Sequence, residues 1–251
     1  MLFKIFKKIA GIFGYKLIDK NLIKNDRELS KYSTISIDTI LNGLFSDRKI
    51  NHLIQIGSND GKRFDSLNKF IKKFSPVSLL VEPIKKDFFD LKNNYKNQKN
   101  IFFENSAVSI NDSMNYLYKV KDTKIKFYDE HIKGISSFEI KHLIKHGVSK
   151  SHIVKEPVNS ISINELLNKH SFSQLDLLMV DAEGYDGKII TDFLSNISLR
   201  PIIIFEYIHI DHITFKKLLD LLILKKFFFY SINENVICFP NEFGSGKKYL
   251  S

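Results

Sequence analysis

From residue 52 onward, short apolar runs alternate with longer stretches in which apolar residues recur at helical spacing. Residues 52–57 (HLIQIG), 78–83 (SLLVEP), 175–180 (LDLLMV) and 201–207 (PIIIFEY) are too short for buried helices and read as strands. A further strand starts at 101–103 (IFF) and runs on to Val108. Between the strands, Phe64, Leu67, Phe70, Ile71 and Phe74 share one helical face over 63–74, and Pro76 stops that helix. Phe88, Phe89 and Leu91 mark the apolar side of a helix over 85–95, and 215–225 forms another. Ser162-Ile163-Asn164-Glu165 has the form of a capping box opening a helix through Leu167. Such alternation predicts a parallel sheet covered by helices on both faces. Residues 227–232 and 236–239 are strands joined only by Asn233, Glu234 and Asn235, and so short a connection forces them antiparallel. The expected fold is α/β, mostly parallel, with an antiparallel C-terminal hairpin.

Three stretches break this rhythm. Residues 114–120 alternate and are expected to pair beside the third strand as a hairpin. Residues 121–157 are polar, hold four of the eight histidines and carry Gly134 and Gly147. A segment of that length is either a lid over a substrate or a solvated insertion with short helices. Its Lys141, His142, Lys145 and His146 have the spacing of one solvated helix face, or, less directly, of a site for an anionic acceptor. At the N-terminus, Leu2, Ile5, Phe6, Ile9, Ile12 and Phe13 line one face of an amphipathic helix over 1–18, beside Lys4, Lys7 and Lys8. That helix either packs on the domain or lies on an anionic membrane. The lysines make it a poor signal peptide and too charged to cross a bilayer. The chain thus divides into an N-terminal helical extension, 1–50, and one domain, 51–251, with the lid candidate at 121–157.

At 251 residues and 43% hydrophobic, the chain can bury the core of one α/β domain. The net charge of +10 allows attraction to phosphate, anionic lipid or acidic glycans. No Arg-rich tract or zinc-finger spacing accompanies it, so nucleic acid is not an expected partner. Cys238, the single cysteine, lies in an apolar run and reads as a small buried hydrophobe. One cysteine excludes a disulfide framework and points to a reducing compartment. The expected location is the cytoplasm, at the inner membrane face if residues 1–18 bind lipid.

Ligands of open α/β sheets bind beyond the carboxyl ends of the strands. After the first strand stands Gly57-Ser58-Asn59-Asp60-Gly61, a turn that lets backbone approach a ligand, with a helix N-terminus expected behind it. It lacks the G-x-G-x-x-G spacing of dinucleotide sites. After the second strand, Glu82, followed by Pro83, is placed to accept two ribose hydroxyls. After the third, the small residues Ser106 and Ala107 leave room for an adenine ring. After the fourth come Asp181 and Glu183, and after the fifth Glu206, Tyr207 and His209. Carboxylates at strand tips could take a proton from a hydroxyl, hold a hard divalent cation, or cap backbone N–H groups.

These residues resemble the FkbM family of S-adenosylmethionine-dependent methyltransferases. The matching stretches are LIQIGSNDG (53–61), LLVEPIKKDFFDLKNNY (79–95), NSAVS (105–109), GISSF (134–138), ISINELL (161–167), DLLMVDAEGYD (176–186) and PIIIFEY (201–207). The resemblance implies a seven-stranded class I methyltransferase sheet of Rossmann-like form. It implies S-adenosyl-L-methionine as cofactor, with Gly57, Ser58, Asn59, Asp60 and Gly61 at its methionine end. Glu82 and Pro83 then lie by the ribose and Ser106 and Ala107 by the adenine, with Asp181 touching both cofactor and acceptor. It further implies a hydroxyl of a sugar, glycolipid or related metabolite as acceptor, with Asp181 and Glu183 on the acceptor side; the family fixes no general base, and the strand-tip acids Asp181, Glu183 and Glu206 are the catalytic candidates. The family commonly has an acid where this chain has Gln55, which can still bond the cofactor's ammonium but without the charge. No metal is favoured; were one used, Asp181 and Glu206 would be its ligands. Two alternatives stand beside this reading: a non-catalytic or membrane-tethered binding protein in glycan assembly, and a nicotinamide-dependent oxidoreductase.

Overall fold

A computed structural model describes residues 35–63, 65–110 and 115–243, so the amphipathic stretch 1–18, Phe64 and Met114 lie outside the described residues. The chain divides into two compact units, Met1–Thr39 and Ile40–Ser251, and the second holds the sheets. The elements begin with α1 (Ile37–Ser46), β1 (His52–Ile56), α2 (Asn68–Phe74), β2 (Val77–Val81), α3 (Lys85–Asn94), β3 (Ile101–Glu104) and β4 (Ala107–Val108). Next come β5 (Tyr116–Val120), α4 (Glu130–Lys133), β6 (Ser136–Ser137), α5 (Ile140–Lys145), β7 (Ile153–Pro157) and β8 (Ser160–Ile161). The chain continues through α6 (Ile163–Lys169), β9 (Leu177–Val180), α7 (Asp186–Asn196), β10 (Ile202–Glu206), α8 (His212–Leu224), β11 (Phe227–Ile232) and β12 (Asn235–Pro240).

Seven strands form the central sheet in the order β11-β12-β10-β9-β1-β2-β3. All pairings from β3 across to β10 are parallel, and β12 runs antiparallel to both β10 and β11. The chain turns back on itself between β1 and β9, so the strand ends open a crevice there. Helices cover both faces, which is why β1 and β2 are buried along nearly their whole length. On one face Ile54, Ile56, Leu79 and Val81 pack against Leu166 of α6, Ile189 and Phe193 of α7, and Leu218 of α8. On the other, Phe45 of α1 stacks on Phe70 at 5.2 Å and on Phe74 at 5.6 Å. Full burial of one such side chain contributes about 1.5–3 kcal/mol. Among the described residues no helix is long and apolar enough to cross a membrane.

Helix starts depend on local capping. The capping box at Ser162 and Glu165 forms in both directions. Asp211 accepts the N–H groups of Ile213 and Thr214, so α8 starts ahead of Phe215. The helix expected over 63–74 begins only at Asn68, because Asp65 Oδ1 takes the amides of Leu67 and Asn68 and keeps Ser66 and Leu67 out of the helix. Helix α7, absent from the sequence expectation although Ile189, Ile190, Phe193 and Leu194 mark one apolar face, comes directly after the acidic turn.

The third strand does not continue to Val108. It ends at Glu104, where the Asn105 side chain turns away to donate to the carbonyls of Glu82 and Pro83. Strand β4 then leaves the sheet and pairs in parallel with β8. Nor does 114–120 pair beside β3: β5 pairs antiparallel with β6 and β7 in a separate three-stranded sheet. That sheet, with α4 and α5, gives the polar stretch a small core of its own, built from Val120, Ile132, Ile135, Leu143, Val148 and Ile153.

Candidate active site

The turn after β1 is held by its backbone. Gly57, Asn59 and Gly61 have φ of +82°, +47° and +66°. A Cβ on Gly57 would stand 1.8 Å from the carbonyl oxygen of Asp181, so only glycine lets the ends of β1 and β9 lie this close. The N–H groups of Gly57 and Ser58 donate to the Val81 carbonyl, and that of Asn59 donates to Glu82 Oε2 at 2.9 Å. Asp60 takes the N–H groups of Lys62 and Arg63 and the Arg63 guanidinium. Burial opposes its ionisation, but these bonds from Arg63 and Lys62 outweigh it and hold the carboxyl below its usual range. The free helix N-terminus expected behind the turn is therefore not there: α2 starts later and its first amides are taken by Asp65. Backbone shape and carbonyls are what this turn offers a ligand.

At the end of β2, Glu82 is buried, with Oε2 on Asn59 and Oε1 accepting the Ile84 N–H at 2.8 Å. Burial pushes its carboxyl up to about 8, Asp87 and Asp181 add to the rise, and the two amides oppose it. Two amides fix the carboxylate's orientation and leave lone pairs for further donors. Ser106, nearby, donates its hydroxyl to Glu104 Oε1 at 2.7 Å.

Gln55 points into the cavity from β1. Its Nε2 donates to Asp65 Oδ1 at 3.1 Å, while its buried Oε1 has no hydrogen-bond partner among the described residues. An orphaned acceptor beside a carboxylate is a place for a cationic donor. Asp65 was invisible to sequence reasoning because it lay within the expected helix. Burial raises its carboxyl, and the bonds from Leu67, Gln55, Tyr95 and Asn68 oppose the rise.

Asp181, Glu183 and Glu206 meet at the other end. The β9–α7 turn carries positive φ at Glu183 and Gly184, and buried Asp186 accepts the N–H groups of Ala182 and Gly184. Enclosure by the cavity walls pushes Asp181 up to about 7, with Glu183 adding and His142 opposing. Its side chain nevertheless faces open cavity space, where water moderates the rise until a ligand displaces it. Glu206 is raised to about 8, by burial first and then by Asp181, Glu183 and Glu234.

Against these acids stand three imidazoles. His142 Nε2 lies 2.8 Å from Glu183 Oε2, and His209 Nε2 lies 3.5 Å from Glu206 Oε2. Burial and the neighbouring His142 push His209 down to about 4, so it is neutral near pH 7 and its contact with Glu206 is not an ion pair. The helix carrying 141–146 is not one solvated face: Lys141 and Lys145 are exposed, while His142 is buried and His146 half-buried.

One cavity of about 600 Å³ joins these parts. Gln55, Gly57, Ser58, Asn59, Glu82, Pro83, Ser106, Ala107, Asp181, Glu183 and Glu206 line it. Asp60 and Gly61 do not; they stand behind the turn, where a Cβ on Gly61 would strike Leu91 and Tyr95 of the α3 segment. Gly134, Ile135 and Phe138 from the segment after α4 also line the cavity, and Asn59 donates to the Gly134 carbonyl at 3.4 Å.

A parallel sheet with β12 inserted antiparallel between β10 and β11, a glycine turn after β1 and an acid at the end of β2 define a class I methyltransferase. The sequence matches the Methyltransferase FkbM domain over residues 55–230, and the chain belongs to that family. The family's methyl donor is S-adenosyl-L-methionine. Comparison with curated proteins gave no match. Among solved structures, the METTL16 MTase domain is similar at 12% identity and a TM-score of 0.44, covering 81% of this chain and 66% of that one. This chain thus spans slightly less than two thirds of that structure's length. The SAH-bound Podospora anserina methyltransferase PaMTH1 is similar at 12% identity and a TM-score of 0.41, covering 88% of this chain and 87% of that one. A precorrin-6y C5,15-methyltransferase from Geobacter metallireducens is similar at 8% identity and a TM-score of 0.39, covering 83% and 92%.

Proposed function

We propose that the protein transfers a methyl group from S-adenosyl-L-methionine to a hydroxyl oxygen of a sugar, glycolipid or related metabolite. The observation that carries this reading is one cavity with two unlike ends. At one, Gln55, Gly57 and Glu82 fit an amino acid and a ribose; at the other, Asp181, Glu183 and Glu206 fit an alcohol.

The residues present fit the donor. The orphaned Gln55 Oε1, with Asp65 beside it, suits an ammonium group. The amide-fixed Glu82 carboxylate suits a pair of vicinal hydroxyls. Ser106 and Ala107 also line the cavity, and small side chains there suit an adenine ring. When bound, the donor supplies a methyl on a sulfonium, whose C–S bond breaks as the C–O bond to the acceptor forms.

With the electrophile already activated, the protein's main task is alignment and exclusion of water. Gly57 sets the approach, and Gly134, Ile135 and Phe138 wall the cavity. An alcohol is a poor nucleophile, so a base adds rate. Asp181 takes the acceptor's hydroxyl proton; a carboxyl raised toward neutrality is better matched to that work than an ordinary aspartate. Glu206 and Glu183 bind further hydroxyls of the acceptor.

The test is incubation with radiolabelled methyl donor and a panel of hydroxylated sugars, lipid-linked glycans and small metabolites, with product linkage read by mass spectrometry. An oxygen-linked methyl group on a panel member is the expected result. Methylation found only on nitrogen or carbon acceptors would overturn the reading.

A further inference from the structure

We propose that His142, His146 and His209 form a site for one divalent transition-metal ion of the zinc type, at the acidic end of the cavity. The three imidazoles come from α5 and its C-terminal end and from the loop after β10, distant in sequence and brought together by the fold. Their ring centroids lie 4.7, 4.6 and 4.8 Å apart in pairs, and one nitrogen from each ring lies within 4.8 Å of the others. Tetrahedral binding at metal–nitrogen distances near 2.0–2.1 Å places nitrogens about 3.4 Å apart. Small ring rotations close that difference.

Two further observations favour ligation over mere packing. His209 Nδ1 is buried without a hydrogen-bond partner among the described residues, a cost unless something accepts its lone pair or proton. Carboxylates face the opposite nitrogens: Glu183 holds His142 Nε2 at 2.8 Å, and Glu206 stands 3.5 Å from His209 Nε2. A histidine held by a carboxylate at one nitrogen presents the other to a metal in a fixed orientation. Imidazole ligands suit zinc, copper, nickel or iron rather than magnesium or calcium. This ligand set differs from the oxygen-only pair Asp181 and Glu206.

Three protein ligands leave a coordination position open, and His146 and His209 both line the cavity. That open position would take the acceptor's hydroxyl oxygen. This last step rests on the methyl-transfer reading; metal binding does not.

The test uses the full-length protein, stripped by chelator and dialysed. Co²⁺ titration followed by visible d–d absorption, and Zn²⁺ titration by calorimetry, are run on wild type, His146→Gln and His209→Gln. Far-UV circular dichroism checks each fold, and S-adenosylhomocysteine binding is measured on the same samples. Wild type should bind one ion with tetrahedral cobalt bands, and each variant should lose about a hundredfold or more in affinity. No cobalt band and no zinc heat with wild type overturns the site, whatever the variants do. Equal binding by well-folded variants overturns it too. Metal binding without S-adenosylhomocysteine binding upholds this site and counts against the methyl-transfer reading; the reverse sinks the site alone.

Discussion

Glu82 Oε2 accepts the backbone N–H of Asn59 at 2.9 Å, a bond that ties the end of β2 to the glycine turn after β1. The same carboxyl is pushed up to about 8 by its burial. Two ribose hydroxyls donating to it, as proposed, would favour the ionised form, and binding would then release a proton below that value. S-adenosylhomocysteine affinity should therefore rise with pH toward about 8, by at most about tenfold per unit, and level off above. Calorimetry across that range checks this, and Glu82→Gln should bind weakly and lose the slope.

The same shift acts on folding, with a fixed sign. A carboxyl whose folded value lies above its ordinary 4.5 gives stability that is complete below 4.5 and lost as pH rises through about 8. The urea midpoint of wild type should fall over this window more steeply than that of Glu82→Gln. Parallel pH profiles would show that the folded protein does not hold this proton.

Gly57→Ala places a Cβ 1.8 Å from the Asp181 carbonyl oxygen, against backbone that cannot swing aside. The expected loss is on the order of 3 kcal/mol or more, read by urea denaturation. Cofactor binding should be lost even at temperatures where the variant is folded.

Gln55→Ala removes the acceptor that faces the cavity and takes one donor from Asp65 Oδ1, which keeps the N–H groups of Leu67 and Asn68. Affinity for S-adenosylhomocysteine should fall on the order of tenfold. An analogue lacking the amino group should bind wild type and variant alike; a difference between them would place Gln55 elsewhere in recognition.

Asp181→Asn keeps the shape of the strand end and removes the proposed base. Once an acceptor is known, turnover should drop by about 10²–10⁴-fold, with far smaller change in S-adenosylhomocysteine affinity. Equal losses in both would mark Asp181 as a cofactor contact instead.

Cys238 is fully buried, and burial alone pushes its thiol up to about 12. It should resist thiol reagents in the native protein and react only as fast as the protein unfolds. Rapid native labelling would mean that the β11–β12–β10 end of the sheet opens locally.

Much of this protein could be read along the chain. Continuous apolar runs such as those at β9 and β10 specify strands buried on both faces, and the two residues joining β11 to β12 leave no room for a parallel return. The glycine turn, Glu82 and the acidic strand tips were visible because their positions depend on where strands end. Tertiary structure decided what depends on contacts between distant segments. Asp65 stops a helix that periodicity extends, because a carboxylate reaching two amides outweighs a weak apolar stripe. Strand β5 carries the alternation of a half-buried strand, but alternation does not name a partner; β6 and β7 take it. His142 and His146 share a spacing that solvent and core can both explain. Only the arrival of His209 and Glu183 from the ends of β10 and β9 turns that face inward, since side-chain direction is set by what lies opposite and not by the helix itself.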